Sequence, residues 1–187
     1  MCFKTKNKRL NNKLININEK IKEITMNVNL ATEEIRHPLP NFTVEEAIEK
    51  VSKAEDAWNT KQPEVVATAY SLDTKWRNRD IFINGRVEMV TLLTEKWQSE
   101  KHYKLIKELW SVHENRIAVR FAYEWQNEAG QWFRSYGNEN WQFNEKGLME
   151  QRHASINDVK IKESERKFLW TGEKRPIDYP GLTELGL

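Results

Sequence analysis

The stretch QWFRSYGNENWQF, residues 131–143, lies between two copies of one device, NEAG at 127–130 and NEKG at 144–147. Each tetrad begins with Asn and ends with Gly. That is the pattern of a type I turn completed by a residue with left-handed backbone, which Gly adopts at little cost. Between the turns the residues alternate with period two, so the stretch reads as a strand. RIAVRFAYEWQ (116–126) precedes it and LMEQRHASIND (148–158) follows, with YKLIKELWSV (103–112) earlier still. Four strands in succession, joined by short turns, make an antiparallel meander.

Turn type also sets register. Asn127 opposite Gln131 places Trp125 against Phe133, Tyr123 against Ser135, Phe121 against Gly137 and Val119 against Glu139. Asn144 opposite Leu148 carries the same logic into the last strand: Phe143 faces Met149, Trp141 faces Gln151 and Glu139 faces His153. With His113 opposite Arg116, Trp110 falls beside Val119 and Glu108 beside Phe121. One sheet face then gathers Ile106, Trp110, Ile117, Val119, Phe121, Tyr123, Trp125, Phe133, Trp141, Phe143 and Met149. Glu108, Glu139, Gln151 and His153 project into that face, and Gly137 leaves an open spot beside them. A lone carboxylate there would cost several kcal/mol, so Glu139 must be paired, protonated or wet. Facing His153, it reads either as half of a general-base dyad or as a buried polar pair that fixes register.

Upstream, the period is helical. Thr43 and Glu46 form a capping box, followed by an apolar stripe at Val44, Ala47, Ile48, Val51, Ala54 and Trp58. Pro63 suits the first turn of a second, short helix. LDTKWRNRD (72–80) reads as a strand, with a loop through Asn84 and Gly85. RVEMVTLLTEKWQSE (86–100) is a third helix with Val87, Val90, Thr94 and Trp97 on one side. Helices followed by a meander on one long, curved sheet define an α+β domain. The domain is expected over residues 37–187, with 161–187 as a C-terminal extension. Residues 1–36, rich in Asn and Lys, read as a loosely ordered basic tail.

Bulk properties exclude several classes. The 187 residues carry a formal net charge of +2, but residues 1–25 hold seven Lys/Arg against two Glu, which leaves the remainder at −3. A nucleic-acid surface across the body is therefore not expected. Cys2 is the only cysteine, which excludes an internal disulfide and suits a reducing, cytoplasmic setting. No apolar run reaches membrane-spanning length. There is no Gly-rich phosphate loop, no Gly-flanked nucleophilic serine and no HExxH, so nucleotide and protease chemistry are unsupported. Neither a metal nor a cofactor is expected.

The segments KWRNRD, NGR, KELW, NRIAVRFAYEW, RSYGNENWQF, GLMEQRHASIND and RPIDYPGLTELGL resemble a bacterial and fungal subfamily of unknown function. It lies within the nuclear transport factor 2-like superfamily, which includes ketosteroid isomerases, SnoaL-type polyketide cyclases, scytalone dehydratases and limonene epoxide hydrolases. The resemblance covers roughly residues 40–187. It implies a cone-shaped, cystatin-like fold, with three helices packed on a curved, mostly antiparallel sheet, a pocket between them, and dimers through the sheet's outer face. Fold alone does not define an activity.

These readings name a candidate site. Glu139 and His153 form the candidate dyad, and Glu108 is a further acid on the same face. Trp110, Phe121, Tyr123, Gly137, Trp141 and Gln151 are expected to line the pocket, with Trp76 and Asp80 near its mouth. The expected function is binding or acid/base transformation of a small, largely apolar molecule, of isomerase, hydratase, lyase or cyclase type. The alternative is a non-catalytic ligand-binding or dimeric accessory module. A homodimer is expected through the face bearing Arg120, Tyr136, Asn138 and Arg152.

Overall fold

The computed structural model describes residues 31–187. Helix α1 (Val44–Asn59) starts at the expected capping box: the Glu46 backbone N–H donates to the Thr43 hydroxyl at 3.2 Å, and the Thr43 N–H donates to the Glu46 carboxylate at 2.8 Å. Helix α2 (Pro63–Ala67) has proline in its first turn. Strands β1 (Tyr70–Asn78) and β2 (Ile81–Asn84) precede helix α3 (Gly85–Ser99). The meander follows as β3 (Lys101–His113), β4 (Arg116–Gln126), β5 (Trp132–Phe143) and β6 (Met149–Ile161). The six strands lie in the order β2-β1-β6-β5-β4-β3, all antiparallel except β1 against β6. Strand β2 replaces part of the expected loop. It is four residues long with only Ile83 buried, so it shows no usable alternation.

Val119, Phe121, Tyr123, Trp141 and Phe143 on one face of the sheet share a core with Ala47, Val51 and Trp58 of α1 and with Met89 and Leu93 of α3. The buried face of α1 differs from the expected stripe. Val44 and Ile48 are about half exposed, while Lys50, Glu55 and Asn59 are buried. For Glu55 and Asn59 the reason is the open edge of β3. The Asn59 amide donates to the Leu105 carbonyl and accepts from the Leu105 N–H, both at 2.9 Å, and Glu55 accepts the Lys107 N–H at 2.7 Å. Edge backbone groups need partners, and α1 supplies them.

Both glycine turns form as expected. Asn127 N–H donates to the Gln131 carbonyl at 3.0 Å, and Asn144 N–H to the Leu148 carbonyl at 2.9 Å, with Gly130 and Gly147 at positive φ. The β4–β5 register matches throughout, including Val119 opposite Glu139 and Phe121 opposite Gly137. The other two ladders slip by one residue. In β3 the expected pairing holds from His113↔Arg116 to Ser111↔Ala118. Trp110 is then bulged out, so Leu109 faces Val119 and Lys107 faces Phe121. In β6 Phe143↔Met149 holds. Glu150 is then skipped, so Gln142 faces Gln151, Asn140 faces His153 and Glu139 faces Ala154. Parallel neighbour β1 occupies Met149 at this point: its N–H donates to the Ala69 carbonyl and its carbonyl accepts the Thr74 hydroxyl, both at 3.0 Å. A one-residue slip exchanges sheet faces, and here it brings Lys107 and Arg152 inward in place of Glu108 and His153.

The chain flanking the core is also docked. Residues 1–30 lie outside the described residues, but the expected tail boundary at residue 36 falls within a bonded segment. Glu33 accepts the Leu72 N–H at 2.8 Å and pairs with Lys146 at 2.9 Å, and Arg86 donates to the Thr32 carbonyl at 2.6 Å. Residues 162–187 run over the outer sheet face. There Phe168, Trp170 and Leu182 pack with Ile106 and Ala122 as a second core. Glu124, buried beneath this segment, accepts the Lys167 and Phe168 N–H groups and pairs with Arg134 at 2.6 Å. Arg175 reaches round the β3 edge to Glu55 at 2.6 Å. No helix among the described residues is long and apolar enough to cross a membrane.

Candidate functional site

Glu139 is 1% exposed and faces the core, as its position opposite Val119 requires. Its partners are two cations. Arg152 Nε donates to Oε2 at 2.6 Å, and Lys107 Nζ donates to Oε1. Arg152 also donates to Asn78 Oδ1 at 3.1 Å, and its guanidinium lies 4.9 and 4.8 Å from the ring centres of Trp58 and Trp76. Lys107 Nζ lies 4.8 Å from the Phe121 ring, 5.3 Å from Trp141 and 5.4 Å from Trp58. Burial pushes the Glu139 carboxyl up. The Arg152 charge and then that of Lys107 overcome it and hold the carboxyl below its ordinary range. Burial drives the Lys107 amine down, more than Glu139 can offset. One carboxylate thus serves two buried cations, and Lys107 is the member able to shed its proton.

The space around this group is closed. The void bordered by Lys107, Arg152, Phe121 and Tyr123 measures about 10 Å³, room for no more than one water. The open spot expected at Gly137 is filled by the Phe121 ring, which a Cβ at Gly137 would meet at 2.2 Å. The phenyl ring covers its cross-strand glycine.

A much larger cavity, about 500 Å³, lies between α1, α2 and the sheet end that carries Trp141, Phe143 and Met149. Ala54, Ala57, Val65 and Ala69 form its apolar wall, and the segment Ile35, Arg36 and His37 crosses its rim. Lys50 is its buried polar member, 7% exposed. Its amine donates to the carbonyls of Arg36 at 2.5 Å and Gly147 at 2.8 Å, and lies 5.3 Å from the Phe143 ring. Gly147 is required here: φ is 71°, and a Cβ would meet the Arg36 carbonyl at 2.2 Å. Burial, then the neighbouring Lys53 charge, lowers Lys50 from 10.5 to about 8. Trp141 borders this cavity as well as the Lys107 amine, so one indole separates the cavity from the buried charges.

The expected site residues are distributed accordingly. Of the named pocket residues, Trp141 lines the large cavity, while Phe121 and Tyr123 border the small void instead. Trp76 is core, stacked on Trp58 at 6.0 Å. Gly137 is covered, and Asp80 is exposed in the β1–β2 turn. The expected Glu139–His153 contact is corrected: the β6 bulge puts His153 on the exposed face beside Asn140. Glu108 pairs with Arg120 on the outer face, Nε to Oε2 at 2.6 Å. Trp110, bulged, is 73% exposed, and Gln151 lies beside Gln142, away from the core. Lys50, Lys107 and Glu55 carry no site role in the sequence reading, and Arg152, expected on the outer face as part of a dimer contact, is corrected to the core by the same β6 slip. The signal available was that Lys107 adjoins Glu108 and Arg152 adjoins His153. A buried Glu139 selects the cation at each pair.

With this geometry the chain has an α+β fold shared with SnoaL-like and NTF2-like structures. Residues 40–169 match the family described as "Protein of unknown function (DUF1348)", and the chain belongs to that family. A SnoaL-like polyketide cyclase assignment from Shewanella denitrificans superposes with a TM-score of 0.52 at 9% identity, covering 59% of this chain and 90% of that one. An NTF2-like protein of unknown function from Exiguobacterium gives 0.51 at 14% identity, over 60% and 99%. SalBIII, an epoxide hydrolase/cyclase-like enzyme of pyran ring formation in salinomycin, gives 0.55 at 10%, over 60% and 92%. No curated protein matches the sequence.

Proposed function

We propose that this protein binds a small, largely apolar molecule in the cavity between α1, α2 and the sheet end, and acts on it by proton transfer at Lys50. The observation that carries this reading is a 500 Å³ space with apolar walls and one buried amine whose pKa lies at about 8. Ligand pockets have this size and composition, and an amine tuned toward neutrality suits an isomerase, lyase or cyclase step. The sheet is read as the wall of a cone, as in the cyclases that share its fold. We place self-association on the part of the outer face left uncovered by residues 162–187, around Trp110, Asn138 and Asn140.

A second reading, non-catalytic binding, draws on the two carbonyls that Lys50 holds, since they tie the 36–37 segment to the β5–β6 turn. A thermal-shift screen of apolar carbonyl compounds and epoxides, followed by turnover assays on each hit, separates the two. Turnover that Lys50→Met abolishes while binding persists supports catalysis. Hits that bind without turnover support the second reading, and a screen with no hits refutes both.

A further inference from the structure

Among the described residues, the ionisable ones around the large cavity are Arg36, His37, Lys50 and Lys53, with no carboxylate lining it. Two neighbouring acids are engaged with lining cations other than Lys50. Glu49 pairs with Lys53 at 2.6 Å, and Glu34 lies 3.8 Å from Arg36 with most of its own side chain exposed. Lys146, in the β5–β6 turn that supplies the Gly147 carbonyl, is neutralised by Glu33. A buried amine placed against two carbonyl oxygens uses two of its three N–H directions when protonated. It therefore has a donor to give, and among the described residues no carboxylate is bonded to it, Glu49 acting only from a distance.

We propose that the cavity's natural occupant is an organic anion: an apolar body seated against Ala54, Ala57, Ala69 and Met149, with a carboxylate or comparable oxyanion beside Lys50. This rests on the reading of the cavity as the binding site. A carboxylate supplies the charge the wall lacks, and hydrogen bonds between ions are the stronger kind. It also explains the position of Lys50 in the apolar wall, where an amine with no anionic partner is disfavoured. Binding of the anion raises the affinity of Lys50 for its proton, so near pH 8 association takes up a proton. Lys53 and Arg36 add to the field, and Glu49 and Glu34 oppose it.

Titration calorimetry of the full chain with octanoate, 1-octanol and octylamine, in low salt near pH 8, tests this. The expected order is octanoate tightest, by about ten-fold or more over 1-octanol, and octylamine weakest. Repeating the octanoate titration in two buffers of different ionisation enthalpy should reveal proton uptake. Lys50→Met should remove both the preference and the uptake while 1-octanol still binds. If Lys50→Met does not fold, Lys53→Met and the salt dependence of octanoate binding to the parent protein replace it: both should weaken octanoate and leave 1-octanol unchanged. Equal or tighter binding of 1-octanol or octylamine overturns the anion assignment and leaves the cavity reading standing. Absence of binding by all three overturns both.

Discussion

Replacing Glu139 by Gln would remove the carboxylate that pairs with both Lys107 and Arg152 in the core. The shape is nearly kept, so the change is one of charge. Lys107 can respond by giving up its proton, since burial already drives its amine down. Arg152 cannot, because guanidinium stays protonated in proteins. Held between Trp58 and Trp76, it would keep Asn78 as a partner but lose its ion pair. Breaking one side of a buried ion pair costs about 3–5 kcal/mol, and for a chain of this size that lowers Tm by roughly 6–20 °C. Thermal and urea melts of both proteins measure it directly. The effect should depend on pH with a definite sign. The folded carboxyl titrates below its unfolded counterpart. Its contribution is therefore fully present above the ordinary carboxylate range and is lost as pH falls through the folded value. The two melting curves should converge in acid. Glu139→Gln combined with Arg152→Met should recover much of the loss. A single variant within about 1 kcal/mol of the parent at pH 7 would refute the charge-neutralisation argument, because no smaller penalty fits an orphaned buried guanidinium.

Gly137→Ala would set a methyl 2.2 Å from the Phe121 ring, and overpacking of this kind costs about 1–3 kcal/mol; adding Phe121→Leu should relieve it, and an unchanged Tm would show that the ring is free to move. Deleting residues 1–36 should lower Tm below that of a deletion of residues 1–30, by about 1–3 kcal/mol in stability, because the Leu72 N–H loses its Glu33 acceptor and Lys50 its Arg36 carbonyl. Identical melts for the two would place the start of the packed chain after residue 36. For Lys50, the folded pKa of about 8 lies below the ordinary 10.5, so the unfolded chain binds the proton more tightly between these values and stability gains from rising pH across that window. Urea titrations from pH 7.5 to 10.5 should show this gain reduced in Lys50→Met, with Lys53, Glu49 and Arg36 unchanged; parallel curves would contradict the shift.

Much of the meander could be read in advance because turn chemistry is local. The Asn and Gly of each tetrad specify their own backbone, and the β4–β5 ladder follows from Asn127 and Gly130 alone. The bulges at Trp110 and Glu150 are not local. That at Glu150 meets the demands of β1, which engages both the N–H and the carbonyl of Met149 from a part of the chain some 75 residues distant. The same limit applies to α1. Apolar spacing favours Val44 and Ile48, whereas the unpaired edge of β3 requires Glu55 and Asn59. Recognising that Glu139 had to be paired was correct physics applied to a register one residue off. Its remedy was a choice between neighbours, and the charge balance favours Arg152 over His153. Of the large cavity, a place between helices and sheet and the Trp141 wall are legible, while the rest of its lining depends on how α1 and α2 lean on the sheet end.

Asn59 offers one donor and one acceptor to Leu105, the same pair that an adjacent strand would offer. For two bonds, a helix side chain impersonates a seventh strand. The sheet is thereby terminated on this side, while its other margin is the four-residue β2. At Leu105 and Lys107, therefore, an incoming strand finds the ladder groups already taken. Blocking an edge in this way is a general means of discouraging strand addition between molecules.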